Sequence, residues 1–318
     1  MVPAIRTEGL AKTYLSGFFR RPVVGLQALD LEVQPGEIFG FIGPNGAGKT
    51  TTIKILMGLH AATSGRAWIA GVPHEDPASR RGVGFLPERP YFYEHLSARE
   101  LLRFYGQLYE LEHNRRERRI DELLGRVELD RFADVPLRKY SKGMLQRVGV
   151  CQALLHEPDV VVLDEPMSGL DPLGRALVRD LILQERRAGR TVFFSSHILH
   201  DVETLSDRVA IVVGGRLRGV GTLDELLDRR VRYVECVFAG LVEADLAERP
   251  GVEGLRTEGE RLVVRVAPGS IDDLLAMAHG RGATVVSVTP VRETLEDALL
   301  DEVERGRPLD RKHLGVLA

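Results

Sequence analysis

Residues 38 to 53, Ile-Phe-Gly-Phe-Ile-Gly-Pro-Asn-Gly-Ala-Gly-Lys-Thr-Thr-Thr-Ile, run from an apolar strand through a glycine-rich turn into a helix. Gly43, Gly48, Lys49 and Thr50 meet the pattern G-x-x-x-x-G-K-[ST], which in a strand-then-helix setting is a phosphate cradle. Gly43, Gly46 and Gly48 have no Cβ, so the backbone can take positive φ and turn its N–H groups toward phosphate oxygens. The positive end of the following helix dipole points at the same anion. The candidate nucleotide-binding segment is therefore Gly43, Pro44, Asn45, Gly46, Ala47, Gly48, Lys49, Thr50 and Thr51. Lys49 would reach the β- and γ-phosphates of a nucleoside triphosphate as a mobile cation, and the Thr50 hydroxyl would ligate Mg²⁺. Only six lysines occur in 318 residues, which makes a chance match to the pattern rare.

A second group of reactive side chains follows far downstream. Val160-Val-Val-Leu-Asp164-Glu165-Pro166 is an apolar strand ending in two carboxylates, and the carboxyl ends of strands are where open α/β sheets bind ligands. Asp164 fits a direct or water-mediated Mg²⁺ ligand. Glu165 fits a general base that polarises an attacking water.

The elements that must position these groups alternate in type. Ala4 to Leu10, Leu29 to Val33, the strand before Gly43, Arg66 to Ala70 and Gly82 to Leu86 read as strands, with a loop containing Gly17 to Pro22 after the first and Tyr14 just past that strand's end. From Ser97 the texture becomes helical: Ser97 and Glu100 form a capping box, and Leu101, Tyr105, Leu108 and Glu112 trace one face. The charge-dense Arg115 to Glu122 fits a solvated helix face. This helical block, about residues 88 to 158, interrupts an α/β pattern that resumes with Val160 to Leu163, a helix from Leu173 to Arg187, Thr191 to Ser195, a further helix and Arg208 to Val213. Near-continuous Val/Ile/Leu strands between helices indicate a parallel sheet covered on both faces. Gly214-Gly215 reads as a hairpin turn into Arg216 to Val220.

Beyond residue 228 the units shorten. Tyr233 to Phe238 reads as strand, Val242 to Glu248 as helix, Gly254 to Glu258 and Leu262 to Val266 as strands. A helix capped by Ser270 with Asp273, the strand Thr284 to Val288 and a last helix after Thr294 complete the order βαββαβ, a ferredoxin-like arrangement. The expected organisation is α/β: a nucleotide-binding domain over 1–228 with an inserted helical subdomain, and a small α+β accessory domain over 229–318.

Bulk properties narrow the class. The formal net charge of −3 gives no field that selects nucleic acid, and the arginines, 37 of 43 basic residues, are scattered. Cys151 and Cys236 are far apart and form no metal or redox spacing, which suits a reducing cytosol. The N-terminus shows no secretory signal pattern, and no run approaches the ~18 apolar residues of a membrane span.

Taken together the motifs resemble those of the nucleotide-binding subunits of ATP-binding cassette (ABC) transporters, over about residues 4 to 228. Tyr140-Ser-Lys-Gly-Met-Leu-Gln146-Arg resembles the family signature, and Leu-Asp-Glu-Pro follows at the right remove. Ser168-Gly-Leu-Asp171 resembles the loop linking two protomers, and Ser195-Ser-His197 the switch histidine. Tyr14 matches the aromatic residue on which adenine stacks. The resemblance implies ATP and Mg²⁺ as cofactors, with Ser141 and Gly143 serving a second protomer's γ-phosphate and His197 holding transition-state geometry beside Glu165 and Lys49. It implies a head-to-tail homodimer that clasps two ATP molecules and releases them on hydrolysis. A separate membrane-spanning permease would be the other partner, placing the chain in the cytoplasm on the inner face of the membrane. Tyr91, Phe92 and Tyr93 are candidates for the permease-docking groove.

Three features depart from the commonest pattern. Lys142 and Met144 stand where the signature has glycine and glutamine. Glu88, after Pro87, stands where a glutamine normally touches Mg²⁺ or the water, and a carboxylate ligates Mg²⁺ at least as well. With the C-terminal Thr294-Leu-Glu-Asp297, these variants resemble bacterial exporter-type subunits. The alternatives are an importer subunit, or a soluble ABC ATPase acting on ribosomes or DNA. The single cassette, the lack of heptads and the acidic balance disfavour the latter. An unrelated GTPase would want an Asn-Lys-x-Asp stretch, absent here. The segment Phe18 to Arg21 reads as a hairpin insertion, with contact to lipid headgroups as the lesser alternative.

Overall fold

The computed structural model describes residues 2–16, 21–227, 231–246 and 249–305. The chain divides into two compact units, Met1–Leu223 with Leu299–Ala318, and Asp224–Ala298.

The first unit opens with β1 (Ile5–Ser16) and β2 (Arg21–Val33), continues through β3 (Ile38–Ile42) and α1 (Lys49–Leu56), and then β4 (Ser64–Ile69), β5 (Val72–Pro73) and β6 (Val83–Leu86). The helices α2 (Ala98–Leu108), α3 (His113–Arg126) and α4 (Lys142–Leu154) follow. The alternation then runs β7 (Val160–Asp164), α5 (Pro172–Arg187), β8 (Thr191–Ser196), α6 (Leu199–Leu205), β9 (Arg208–Val213), β10 (Arg216–Gly221) and the single turn α7 (Leu223–Leu226). The central sheet has the order β10-β9-β3-β8-β7-β6, parallel throughout except for β10. Its strands β3, β7 and β8 are buried at every position, as continuous apolar runs in a doubly covered sheet must be. A smaller antiparallel sheet, β2-β1-β4-β5, shares the core through Leu10, Leu26, Leu29 and Ile69 packed with Phe39, Phe41 and Phe193.

The first two strands are much longer than the sequence pattern suggested. Tyr14 lies inside β1 and pairs with Val23, because Thr13, Tyr14, Val23 and Val24 are β-formers that complete each other's ladder. Register shifts along the pair show that it bends, with Gly9 and Ala28 at positive φ. The segment Gly17 to Arg20 lies outside the described residues.

In the helical block the Ser97–Glu100 capping box is present in both directions. The expected face running through Leu108 to Glu112 is not formed. Glu110 takes φ 54°, which ends the helix; Leu108 is 63% exposed, and Glu112 instead caps α3 by accepting from the N–H groups of Asn114 and Arg115. Of the expected face Leu101 is buried and Tyr105 half-buried, and α2 also buries Ala98, Leu102 and Gly106. α4 lies tight against β6: a Cβ on Gly84 would fall 2.0 Å from the Ala153 carbonyl oxygen, and one on Gly149 2.6 Å from Leu86.

The second unit contains β11 (Val231–Ala239), β12 (Val252–Glu258), β13 (Arg261–Val266), α8 (Ile271–Gly280) and β14 (Thr284–Arg292), and leads into α9 (Leu295–Arg305). Its antiparallel order β12-β13-β11-β14 is that of a split βαβ. Leu274 and Ala278 of α8 pack with Val234, Cys236, Phe238, Leu262 and Val264. The expected helix at Val242 to Glu248 is only a short turn, Glu243–Asp245, in which the Asp245 carboxylate accepts from the Val242 N–H. Ser270 makes no side-chain cap to α8; its side chain sits against Gly251. Thr294 and Asp297 do form a reciprocal box at the start of α9, the hydroxyl and N–H of Thr294 donating to the Asp297 carboxylate at 2.8 and 2.9 Å.

Replacing Gly84 by alanine must push α4 off β6. Gly84→Ala is expected to destabilise the first unit by about 1–3 kcal/mol, the usual cost of overpacking. A melting temperature equal to that of the parent protein would show that the strand–helix contact is not tight.

Candidate functional site

Parallel pairing fixes which side chains meet. Phe41 and Ile42 of β3 lie opposite Ser195 and Ser196 of β8, and Asp164 of β7 lies opposite Ser195. Gly43, Glu165 and His197 are each the first residue beyond their strand, so all three leave the sheet at the same edge. There they open a cleft of about 450 Å³ lined by Gly25, Asn45, Gly46, Ala47, Gly48, Lys49, Thr50, Thr51, Glu88, Glu165, Ser168 and His197.

The glycines of the turn serve two different needs. Gly46 and Gly48 take φ 78° and 107°, the left-handed region that a Cβ disfavours. Gly43 is required by proximity instead of by positive φ, since a Cβ there would lie 2.1 Å from the Val212 carbonyl oxygen of β9.

Lys49 is 6% exposed and donates to the carbonyl oxygens of Gly43 at 2.7 Å and Pro44 at 3.4 Å; its Nζ is 3.7 Å from Glu165 Oε1. Burial pushes the Lys49 ammonium below its ordinary pKa, and the charges of Glu165 and Asp164 oppose that shift. Burial likewise raises Asp164, against the hydrogen bonds it accepts from Ser195 Oγ at 2.6 Å and Thr50 Oγ1 at 3.4 Å. Glu165 accepts at Oε2 from the His197 N–H at 3.3 Å and lies 2.6 Å from His197 Nδ1. Its backbone takes φ 53°, a conformation that costs a non-glycine residue about 1 kcal/mol or more and that clusters at functional sites.

Two residues hold that strained peptide. Ser195 Oγ accepts from the Glu165 N–H at 3.0 Å while donating to Asp164, so one hydroxyl spans both carboxylate residues. Gln146 of α4 donates its amide to the Glu165 and Pro166 carbonyl oxygens, both at 3.2 Å. Ser195 and Gln146 occur in recognisable motifs, but these roles depend on cross-strand register and on where α4 packs, neither of which has a local sequence signal. Gly25 does have one: a glycine within the β-forming run Pro-Val-Val-Gly-Leu marks a close backbone approach.

Thr50, Asp164 and Glu88 supply hard oxygen donors of the kind Mg²⁺ takes. Among the described residues no group of three or more His, Cys, Asp or Glu is placed to hold a metal ion by itself. Bound there, Mg²⁺ would neutralise charge on the phosphates.

The remaining expected site residues lie elsewhere. Ser141 caps α4, accepting from the Met144 N–H at 3.2 Å, and Gly143 sits beside Gly169 and Leu170; neither lines the cleft. Tyr14 is also outside the lining, with its hydroxyl bound to Thr51 and His60.

The family model for the ABC transporter matches residues 26–168. An uncharacterised ABC transporter ATP-binding protein of Synechocystis is 42% identical over 95% of this chain and 85% of its own length. The chain belongs to the ABC transporter ATP-binding family. Another relative, the Nod factor export ATP-binding protein I of Cupriavidus metallidurans, is 34% identical over 86% of this chain and 90% of its own length. A bacterial ABC transporter cassette solved as a dimer is 25% identical and superposes with a TM-score of 0.64, covering 69% of this chain and 98% of that one. This ABC subunit is an ATPase, and its cleft brings together a glycine-rich turn, a buried ammonium and a carboxylate paired to a histidine. No helix among the described residues is long and apolar enough to cross a membrane.

Ser195→Ala leaves both Asp164 and the Glu165 N–H without their shared partner. An unsatisfied buried group costs about 1–3 kcal/mol, so kcat for phosphate release is expected to fall roughly tenfold to a hundredfold. An unchanged rate would show that the bonds of Ser195 to Asp164 and Glu165 do not matter for turnover.

Proposed function

We propose that the chain is the motor subunit of an ABC exporter, working as a homodimer in which each copy completes the other's ATP site. The observation that carries this reading is a division of labour within one chain. Lys49, Glu88, Glu165 and His197 line one cleft, while the start of α4, with Ser141 and Gly143, has donors for an anion and does not line it. A second copy placed head to tail would bring that helix start to the γ-phosphate. The dimeric cassette among the structural relatives supports the pairing.

Within each site Glu165 acts as the base that orients water, His197 holds its carboxylate and the γ-phosphate geometry, and Lys49 meets the β- and γ-phosphates. Tyr14 faces the adenine, and Thr50, Asp164 and Glu88 hold Mg²⁺. Export in place of import is favoured by the Nod factor export relative and by the Pro87-Glu88, Ser141-Lys142-Gly143 and Thr294–Asp297 variants. The accessory domain, read from the sequence as 229–318, belongs with this type.

The force would pass to a separate membrane-spanning permease, which keeps the subunit on the cytoplasmic face of the membrane. Tyr91 is 91% and Tyr93 53% exposed just after Glu88, with Tyr93 edge-on to Phe104, while Phe92 is buried beneath them. These aromatic side chains suit a docking helix that would bury them.

Lys49→Ala is expected to abolish ATP binding, measured by titration with a fluorescent ATP analogue; normal affinity would refute the phosphate assignment. Glu165→Gln should keep binding while slowing hydrolysis about 10²–10⁴-fold, the range of a lost general base. It should also yield an ATP-dependent dimer in light scattering, and a variant that stays monomeric under saturating magnesium ATP would sink the shared-site reading. Glu88→Gln should remain within a few fold of the parent kcat, because an amide oxygen can replace a carboxylate at one ligand position. A dead enzyme would assign the acid a task of its own.

A further inference from the structure

Tyr14 does not itself line the cleft, but several contacts fix it against Gly25, which does. Its hydroxyl is 3.2 Å from Thr51 Oγ1, in the first turn of α1, and 3.0 Å from Nδ1 of His60, in the segment that follows α1. The His60 ring meets the tyrosine ring edge-on, with centroids 5.8 Å apart and an interplanar angle of 75°. Lys12 Nζ stands 5.3 Å above the tyrosine ring and is itself anchored by donating to the Ala61 carbonyl oxygen at 2.6 Å. On its Cε2–Cδ2 side the ring presses on Gly25, where a Cβ would lie only 2.7 Å away, and Gly25 lines the nucleotide cleft. Any other side chain there would force the ring to shift.

His60 has no place in the phosphate chemistry, and its position is explained by what it does to Tyr14. Burial and the neighbouring Lys54 and Lys12 hold the imidazole below its ordinary pKa, so the neutral ring is the form that faces the phenol. With its proton on Nε2 the neutral ring can accept the Tyr14 O–H at Nδ1, which leaves the phenol oxygen free to accept from Thr51. The linked side chains of Thr51, Tyr14 and His60 tie the aromatic ring to the helix that opens at the phosphate turn.

We propose that His60 is a positioning residue for nucleotide recognition: through the Tyr14 hydroxyl it holds the ring against Gly25 in register with the phosphate turn, and so sets affinity for the base and not for the phosphates. This rests on the reading of Tyr14 as the adenine-facing residue. A tyrosine released from the clasp would regain rotamer freedom that must be lost again on binding.

The test compares two competitors on the full-length protein with Mg²⁺ present, displacing a fluorescent ATP analogue either with ATP or with inorganic tripolyphosphate. His60→Ala is expected to weaken ATP about three- to tenfold, the effect of one lost hydrogen bond, and to leave tripolyphosphate within twofold. His60→Gln, whose side-chain oxygen can accept from the phenol, should restore most of the loss. Tyr14→Phe should weaken ATP by a similar factor, and the double variant Tyr14→Phe with His60→Ala should be no worse than Tyr14→Phe alone, as for two residues acting through one contact. Equal weakening of ATP and tripolyphosphate in His60→Ala, or losses that multiply in the double variant, would overturn the assignment in favour of a general structural role. Tyr14→Ala separates the two levels. If it leaves ATP affinity intact, the adenine reading itself falls; if it weakens ATP while His60→Ala does not, only the role of His60 falls.

Discussion

Ser195 and Asp164 lie opposite each other across the parallel pair β8–β7, and Ser195 lies opposite Phe41 across β8–β3. That register places the ends of three strands level, so the residues following them, Gly43, Glu165 and His197, emerge side by side. A slip of one residue in any of these strands would turn every buried side chain to the opposite face of the sheet. Since β3, β7 and β8 are buried on both faces, burial alone does not choose among registers; cross-strand bonds hold the alignment, among them the Ser195 hydroxyl that joins Asp164 to the Glu165 peptide.

The electrostatics of the cleft follow from the same burial. Lys49, Asp164 and Glu165 are all withdrawn from water, and burial makes the Lys49 ammonium easier to deprotonate and Asp164 harder to ionise than in solution. They tolerate the site because they face one another. Lys49 lies between Glu165 and the Gly43 carbonyl, and Glu165 lies between Lys49 and His197.

Much of this was legible in the sequence because it is written locally. The phosphate turn, the apolar strands, the capping box at Ser97 and the Asp-Glu strand end each occupy a few consecutive residues whose physics is self-contained. The misreadings occur where distant pairing decides. β1 and β2 run on through Thr13 to Ser16 and Arg21 to Val24 because each strand supplies the other's hydrogen bonds, which no single-strand pattern reveals. The face through Leu108 and Glu112 was broken by one left-handed residue, Glu110, of a type that ordinarily favours helix. In the second unit Asp245 satisfies the Val242 N–H within a short turn where helix was expected. The roles of Gln146 and His60 were invisible for a related reason: a buried amide or a half-buried imidazole acquires its task from what packs against it.

Gln146 also sets a mechanical limit. One amide nitrogen on α4 holds two consecutive carbonyls, those of Glu165 and Pro166, and it sits little more than one helical turn beyond Ser141. Turning α4 about its axis would strain both bonds unless the peptide that carries Glu165 moved with it. The start of the helix and the Glu165 peptide are thus joined through the body of α4, by a route that does not cross the cleft.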